Sequence, residues 1–307
     1  MKKRTVPQLA LAFALLISPA AAKDIKSVGI ITGPLGNPFF ISLAKGAEAG
    51  VKEINPNAEV STSSYEFDLN RQFELIDSYV SAGKDMILMF SADPDAVTPA
   101  VKKAQKAGIV VVGMDSAANA ADANVVTDNR IGGVLVCDYL AKQMGGKGDL
   151  VILNGPQATS VMARVEGCKE SLAKYPAITI AADQQGDASR DQGFSIMQSL
   201  MTRLPEIDGV FAINDNMAIG AELAARQAGR SGVKIAGFDG SPDLVQALKT
   251  SKMIVGSASQ DPYGLGMKAA QIGYDIMNGK PRPAQFVSQP SGLVHRENVD
   301  SYPGWRQ

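Results

Sequence analysis

Short apolar runs alternate with amphipathic stretches along nearly the whole chain, and this alternation limits the fold more than any other feature. Val28–Thr32, Ala58–Ser63, Met86–Phe90, Ile109–Met114 and Asn124–Thr127 read as strands. The stretches between them carry apolar residues at helical spacing, as in Phe40, Leu43, Ala44, Ala47, Val51 and Ile54. Further helices are expected at Asn70–Ala82 and at Asp93–Ala107, the latter with Asp93 as N-cap and Gly108 as stop. The pattern then restarts. Strands at Leu150–Leu153, Ile178–Ala182, Gly209–Ile213, Lys234–Phe238 and Val255–Ser259 alternate with helices at 131–144, 160–175, 189–203, 215–228, 241–250 and 262–277. The tail, with a Pro-rich stretch at Lys280–Pro283, reads as loop. Repeated βα units imply parallel sheets with right-handed crossovers. About ten strands exceed one ordinary doubly wound domain, so two similar α/β lobes side by side are expected.

The N-terminus reads as an export signal. Lys2, Lys3 and Arg4 precede an apolar run, Leu9–Ile17, and Ala20–Ala22 supplies small residues before Lys23. Residues 1–22 are therefore assigned as a signal peptide and the mature chain to a secretory space, most simply the periplasm. A formal net charge of −1 offers no broad field for nucleic acid or acidic lipid. The two cysteines, Cys137 and Cys168, each fall within a helical pattern, where free Cys often packs as a small hydrophobe. They are read as unbridged, although an oxidising compartment permits a bridge. With one histidine, His295, and no paired-Cys spacing, no metal or other cofactor is expected.

The first strand runs into Gly33-Pro34-Leu35-Gly36-Asn37-Pro38-Phe39-Phe40, a turn that opens a helix. In open α/β sheets, ligands bind beyond the carboxyl ends of the strands. An amide that donates and accepts, beside two flat apolar rings, suits a molecule with hydroxyls on its edge and C–H bonds on its faces, such as a sugar. Pro38 also serves simply to start the helix, and Phe40 lies on the stripe that faces the core. Other strand ends present Asp115, Ser116, Asn214, Asp239 and Gln260, and Arg164 follows the loop 154–160. Each has an ordinary role as cap, turn former or solvated residue. Together they form a set of carboxylates, amides and one guanidinium that can surround a neutral polyol.

These residues carry a resemblance. Asn37-Pro38-Phe39-Phe40, Asp93-Pro94-Asp95-Ala96-Val97, Asp128-Asn129 with Gly132-Gly133, Thr159-Ser160 with Arg164, Phe211–Asp215, Gly237–Asp243 and Gln260 occur in order, and the chain resembles the ribose-binding type of periplasmic solute-binding protein of ABC transporters. The resemblance, which runs from about 23 to about 293, implies two Rossmann-like lobes joined by a three-segment hinge. Residues 23–128 with 261–289 would form the N-terminal lobe, and 129–260 with 290–307 the C-terminal lobe. It implies ligand contacts from Asn37, Phe39, Phe40, Asp115, Ser116 and Gln260 on the first lobe or hinge, and from Arg164, Asn214 and Asp239 on the second. Its implied partners are a small neutral sugar or polyol and an inner-membrane permease, with the protein acting as a monomer that performs no chemistry.

Three departures point away from ribose itself. Gly33 stands where the ribose binders have serine, Asp115-Ser116 where they have an Asp-Arg pair, and Ala188 where they place a phenylalanine. A linear polyol or another small monosaccharide is the expected ligand. A sugar chemoreceptor role is the main alternative. An α/β enzyme is less favoured, since no nucleophile turn, P-loop or metal-binding His pair occurs. A sugar-responsive repressor would need a helix-turn-helix where the export signal stands.

Overall fold

The computed structural model describes residues 23–306. The signal-peptide assignment to residues 1–22 lies outside the described residues. Two six-stranded sheets, each flanked by helices, hold the chain. The first half contains β1 (Ser27–Thr32), α1 (Pro38–Ile54), β2 (Glu59–Ser64), α2 (Leu69–Ser81), β3 (Met86–Met89), α3 (Thr98–Lys106), β4 (Val110–Met114) and β5 (Ala123–Thr127). There follow α4 (Asn129–Gln143), β6 (Lys147–Asn154), α5 (Thr159–Leu172), β7 (Ala177–Gln185), α6 (Arg190–Arg203), β8 (Gly209–Ala212), α7 (Asp215–Gln227), β9 (Lys234–Asp239), α8 (Pro242–Thr250) and β10 (Ile254–Ser259). The chain ends with α9 (Pro262–Met277), β11 (Phe286–Gln289) and β12 (Gly292–His295).

The sheet orders are β11-β5-β4-β3-β1-β2 and β12-β10-β9-β8-β6-β7. All pairings are parallel except β10 with β12. The chain therefore passes between the lobes three times, after β5, after β10 and after β11. Central strands such as β3 and β8 are buried along their whole length, as continuous apolar runs covered on both faces should be. Among the described residues, no helix is long and apolar enough to cross a membrane.

In each lobe, a helix pair is drawn together by glycines. A Cβ on Gly133 of α4 would lie 2.3 Å from the Arg164 carbonyl oxygen of α5, and one on Gly46 of α1 would lie 2.0 Å from that of Tyr263 in α9. No side chain fits at either point, so backbones meet there and glycine is required.

Three expectations need correction. The tail is not all loop: residues 286–289 and 292–295 form edge strands whose partners, β5 and β10, lie in different lobes. His295 sits on the second of these, its ring stacked on Tyr139 at 4.9 Å. The helix expected from Asp93 begins at Thr98, because the Asp93 carboxylate instead closes a turn by accepting from the amides of Asp95 and Ala96. Cys137 and Cys168 are bridged, not free. They stand on α4 and α5 with Cα atoms 5.0 Å apart, a separation set by the glycine-mediated approach of the two helices.

Candidate functional site

The carboxyl ends of both sheets face one cleft, which holds about 380 Å³ of space not filled by atoms. The first lobe lines it with Asn37, Phe39, Phe40, Phe67, Phe90 and Asp115. The second contributes Arg164, Asn214 and Asp239, with Pro156, Ala158, Ser160, Val161, Ala188 and Ile213 between them. The lobes meet beside the cavity, where the Ala117 amide donates to Thr159 Oγ1 at 2.8 Å and the Ser116 and Thr159 hydroxyls lie 3.4 Å apart.

The first lobe's wall is aromatic. Phe40 packs edge-on to Phe39, Phe67 and Phe90, with ring centroids 5.4, 5.8 and 4.9 Å away. Phe40 is thus both core and cavity lining: its ring covers Gly33, where a Cβ would come within 2.5 Å of it. Asn37 likewise has two roles. Its Oδ1 caps α1 by accepting from the Phe39 amide at 3.0 Å, which leaves the Nδ2 face for the cavity.

The second lobe's wall is a charged network. Arg164 Nε donates to Asn129 Oδ1 at 2.8 Å, and Nη1 donates to the Ile213 carbonyl at 2.8 Å and to Asp239 Oδ1 at 3.3 Å. Its guanidinium lies 4.0 Å above the Phe238 ring. These contacts fix its orientation, and Nη2 makes no hydrogen bond among the described residues. Gln260 Nε2 donates to Asp239 Oδ1 at 2.7 Å, while its Oε1 accepts from Thr127 at 2.9 Å. Asn214 caps α7 through Oδ1 and donates to the Ala188 carbonyl at 2.8 Å. Behind Asp239, the buried Asp215 carboxylate accepts from Ser257 Oγ at 2.6 Å and from the Ser241 amide at 2.7 Å.

Two carboxylates and one guanidinium therefore face the cavity, so acceptors outnumber charged donors. Asp115 Oδ1 is buried without a hydrogen-bond partner, a costly state for a carboxylate oxygen unless something occupies the cavity. Burial raises the Asp115 carboxyl above the usual range, against the pull of Arg164 and the Ser160 hydroxyl. Burial also pushes Asp239 up to about 7, opposed by Arg164 and Gln260 and assisted by the charge of Asp115. Asp215 is raised by burial and by Asp239.

Of the nine residues expected at the site, seven line the cavity: Asn37, Phe39, Phe40, Asp115, Arg164, Asn214 and Asp239. Ser116 and Gln260 do not. Ser116 spends its hydroxyl at the seam between lobes, and Gln260 stands behind Asp239 and fixes its carboxylate. Asp187 and Arg190 lie at the mouth, where Arg190 pairs with Asp243 at 2.6 Å. Phe67, Phe90 and Ser160 escaped the sequence reading. Phe90 ends the apolar run of β3, so the strand-end rule could have found it; Phe67 sits in an irregular loop with no such signal. One backbone feature marks the place. Among the described residues, every non-glycine residue with positive φ (Glu66, Phe67, Asp115, Ala188 and Asp239) lies at the cavity or its mouth. Such strain gathers where a site over-determines the backbone.

Residues 28–281 match the model of the periplasmic binding protein domain. The chain belongs to the periplasmic binding protein family. Within that family it is 32% identical over 290 residues to the ribose import binding protein of Salmonella typhimurium, covering 93% of this chain and 96% of that one. It is 33% identical to the xylitol-binding protein of Mycolicibacterium smegmatis, covering 92% of this chain and 76% of the relative. Among solved structures, an ABC transporter solute-binding protein of Mycobacterium smegmatis with bound glycerol superposes with a TM-score of 0.85 at 27% identity, covering 91% and 97% of the two chains. The two-lobed architecture with mostly parallel sheets is that of this family.

Proposed function

We propose that this chain is the solute-binding component of an ABC importer, which captures a small neutral sugar or polyol in the cleft and presents it to an inner-membrane permease. The observation that carries the reading is the pairing of walls: a cluster of phenylalanines faces a fixed Arg164–Asp239 pair, with the unpartnered Asp115 Oδ1 between them. Rings cover C–H faces, and the carboxylates call for O–H donors. An acidic ligand would be set against Asp115 and Asp239 and is disfavoured by their charge. Relatives named for ribose and xylitol, and a neighbour holding glycerol, support the same class.

In this reading the three crossings between sheets are the hinge, which divides 23–128 with 261–289 from 129–260 with 290–307. Ligand shifts the lobes toward closure by its greater affinity for the closed form, and the permease reads the closed surface. The protein acts in the periplasm as a monomer, by capture without covalent chemistry. A thermal-shift screen of pentoses, hexoses and C4–C6 polyols, followed by calorimetry, tests it, because a ligand bound only by the folded state raises the melting temperature. Silence from every neutral sugar and polyol, with a response to an amino acid or nucleobase, would overturn the ligand class.

A further inference from the structure

Beyond β12 the chain does not simply end. Asp300 pairs with Lys249 at 2.8 Å, and the segment from Tyr302 to Arg306 then crosses the turn that presents Asp239. Tyr302 donates its hydroxyl to the Gly240 carbonyl at 3.2 Å, and Trp305 Nε1 donates to the Asp239 carbonyl at 2.8 Å. Two consecutive carbonyls of that turn are thus held by two side chains of the tail. The turn is built to receive them: Gly240 has a φ of +64°, and a Cβ there would come 2.5 Å from the Tyr302 hydroxyl oxygen. The Asp239 backbone is itself strained, with φ at 126°, and needs outside contacts to hold it. Arg306 finishes the segment on the Asp261 carboxylate, where the chain has just left β10 for the first lobe.

Trp305 also reaches the opposite wall. Its ring meets Phe39 edge-on, with centroids 6.1 Å apart. Phe39 belongs to α1 of the first lobe, and Asp239 ends β9 of the second. One side chain outside the cavity therefore touches the back of both walls. We propose that Tyr302–Arg306 is a strap across the cleft and that Trp305 is its positioning residue, fixing Asp239 by its N–H and Phe39 by its ring when the lobes are together. The proposal rests on the reading of the cleft as a sugar or polyol site. Because Phe39 and Asp239 lie on different lobes, opening the cleft must break one of the two contacts. The strap therefore favours the closed form and slows release of what it encloses.

The chain holds a single tryptophan, so the strap reports on itself. The probes are ribose, xylitol, glycerol and myo-inositol, and the tightest binder found by calorimetry is used throughout. Adding it to the wild-type protein is expected to change the intensity or position of the Trp305 emission, with a midpoint that matches the calorimetric affinity. Trp305→Ala is expected to weaken binding about tenfold, mainly through faster dissociation in stopped flow. Trp305→Phe keeps a ring against Phe39 and loses only the donor, so its affinity should fall between the two. A purely structural tail would lower the melting temperature and leave the dissociation constant and off-rate alone. That pattern, or an emission blind to a probe that calorimetry shows to be bound, overturns the strap. If Trp305→Ala fails to fold, Trp305→Phe and the wild-type emission still decide. If none of these four binds the wild-type protein, the tightest ligand of the thermal-shift screen replaces them; a screen silent for every neutral sugar and polyol overturns the ligand reading and the strap's role with it.

Discussion

The two walls of the cleft are made of different materials. On the first lobe, Phe39, Phe40, Phe67 and Phe90 form one aromatic cluster that continues into the core. On the second, Arg164, Asp239, Asn129 and Gln260 form a hydrogen-bonded network in which each member holds another. The first kind of wall is graded: trimming a ring loses area and some packing, roughly in proportion. The second is close to all-or-none, because removing one partner strands buried charge. The helix pairs behind the walls differ too. In the second lobe a disulfide ties α4 to α5, the helix that carries Arg164, whereas α1 and α9 of the first lobe are held by packing alone. The lobe that must aim a guanidinium is the one that is covalently stiffened.

The strongest challenge to this contrast is Arg164→Ala. It removes the only charged donor that lines the cavity among the described residues and leaves Asp239 and Asn129 without it. Binding should be lost to calorimetry, and stability should fall by about 3–5 kcal/mol, the usual cost of breaking a buried pair. Arg164→Lys should not rescue it, since one ammonium cannot serve Asn129, Ile213 and Asp239 in their fixed directions. Phe67→Ala, by contrast, should leave measurable binding. Equal losses from the two variants would erase the distinction between the walls.

The next effect in size comes from the disulfide. Replacing Cys137 and Cys168 together by alanine opens a link between residues 31 apart in sequence and should cost about 2–4 kcal/mol. Hydrogen exchange should quicken in α4 and α5 and remain unchanged in α1 and α9. Uniform loosening of both lobes would mean that the bridge stabilises the whole molecule and does not serve Arg164 in particular.

How much of this was legible beforehand follows from where each signal lives. The alternation of strands and helices is written in local periodicity, so two α/β lobes could be read directly. Asn37, Asp115, Asn214 and Asp239 reach the cavity because a parallel sheet gathers its strand ends, a position readable from sequence, and the family motif points to Arg164 as well. Ser116 and Gln260 sit at the same topological places, yet a neighbour across the lobe seam or within the wall claims their polar groups. No sequence pattern reveals such competition. The bridge between Cys137 and Cys168 depends on the register of two helices, fixed by Gly133 and Gly167 meeting opposing backbones. The strands 286–289 and 292–295 have little pattern of their own and exist because β5 and β10 offer open edges. Phe67 reaches the cavity only through a positive-φ turn.

Asp115 is the exception to the contrast, a carboxylate set into the aromatic lobe. Asp115→Asn tests whether it is there for ligand. Removing a buried charge whose Oδ1 has no partner should stabilise the ligand-free protein by about 1 kcal/mol. The same change should weaken sugar or polyol binding about tenfold, since one charged acceptor is lost. A variant less stable than wild type would show that Asp115 serves the fold and not the cavity.

The last effect is on pH, and its sign separates folding from binding. Burial raises Asp239 from the ordinary 3.8 to about 7, so the folded protein holds a proton that the unfolded chain releases. The associated stability is fully present below the unfolded value and is lost as pH rises through about 7. Asp115 and Asp215, also raised by burial, act in the same direction, and Arg164 opposes the shift in Asp115 and Asp239. Ligand-free stability, measured as the difference between wild type and Asp239→Asn, should therefore fall by about 2–3 kcal/mol between pH 5 and pH 8. Ligand hydroxyls that donate to Asp239 favour its ionised form and lower its pKa in the complex. Affinity should then have the opposite slope, best above pH 7 and weakening as pH falls through that value, with proton release visible in buffers of different ionisation enthalpy. Affinity that strengthens on acidification would mean that the ligand accepts a proton-bearing Asp239 as a donor. The charged wall would then be matched to acceptors on the ligand, not to its hydroxyl protons.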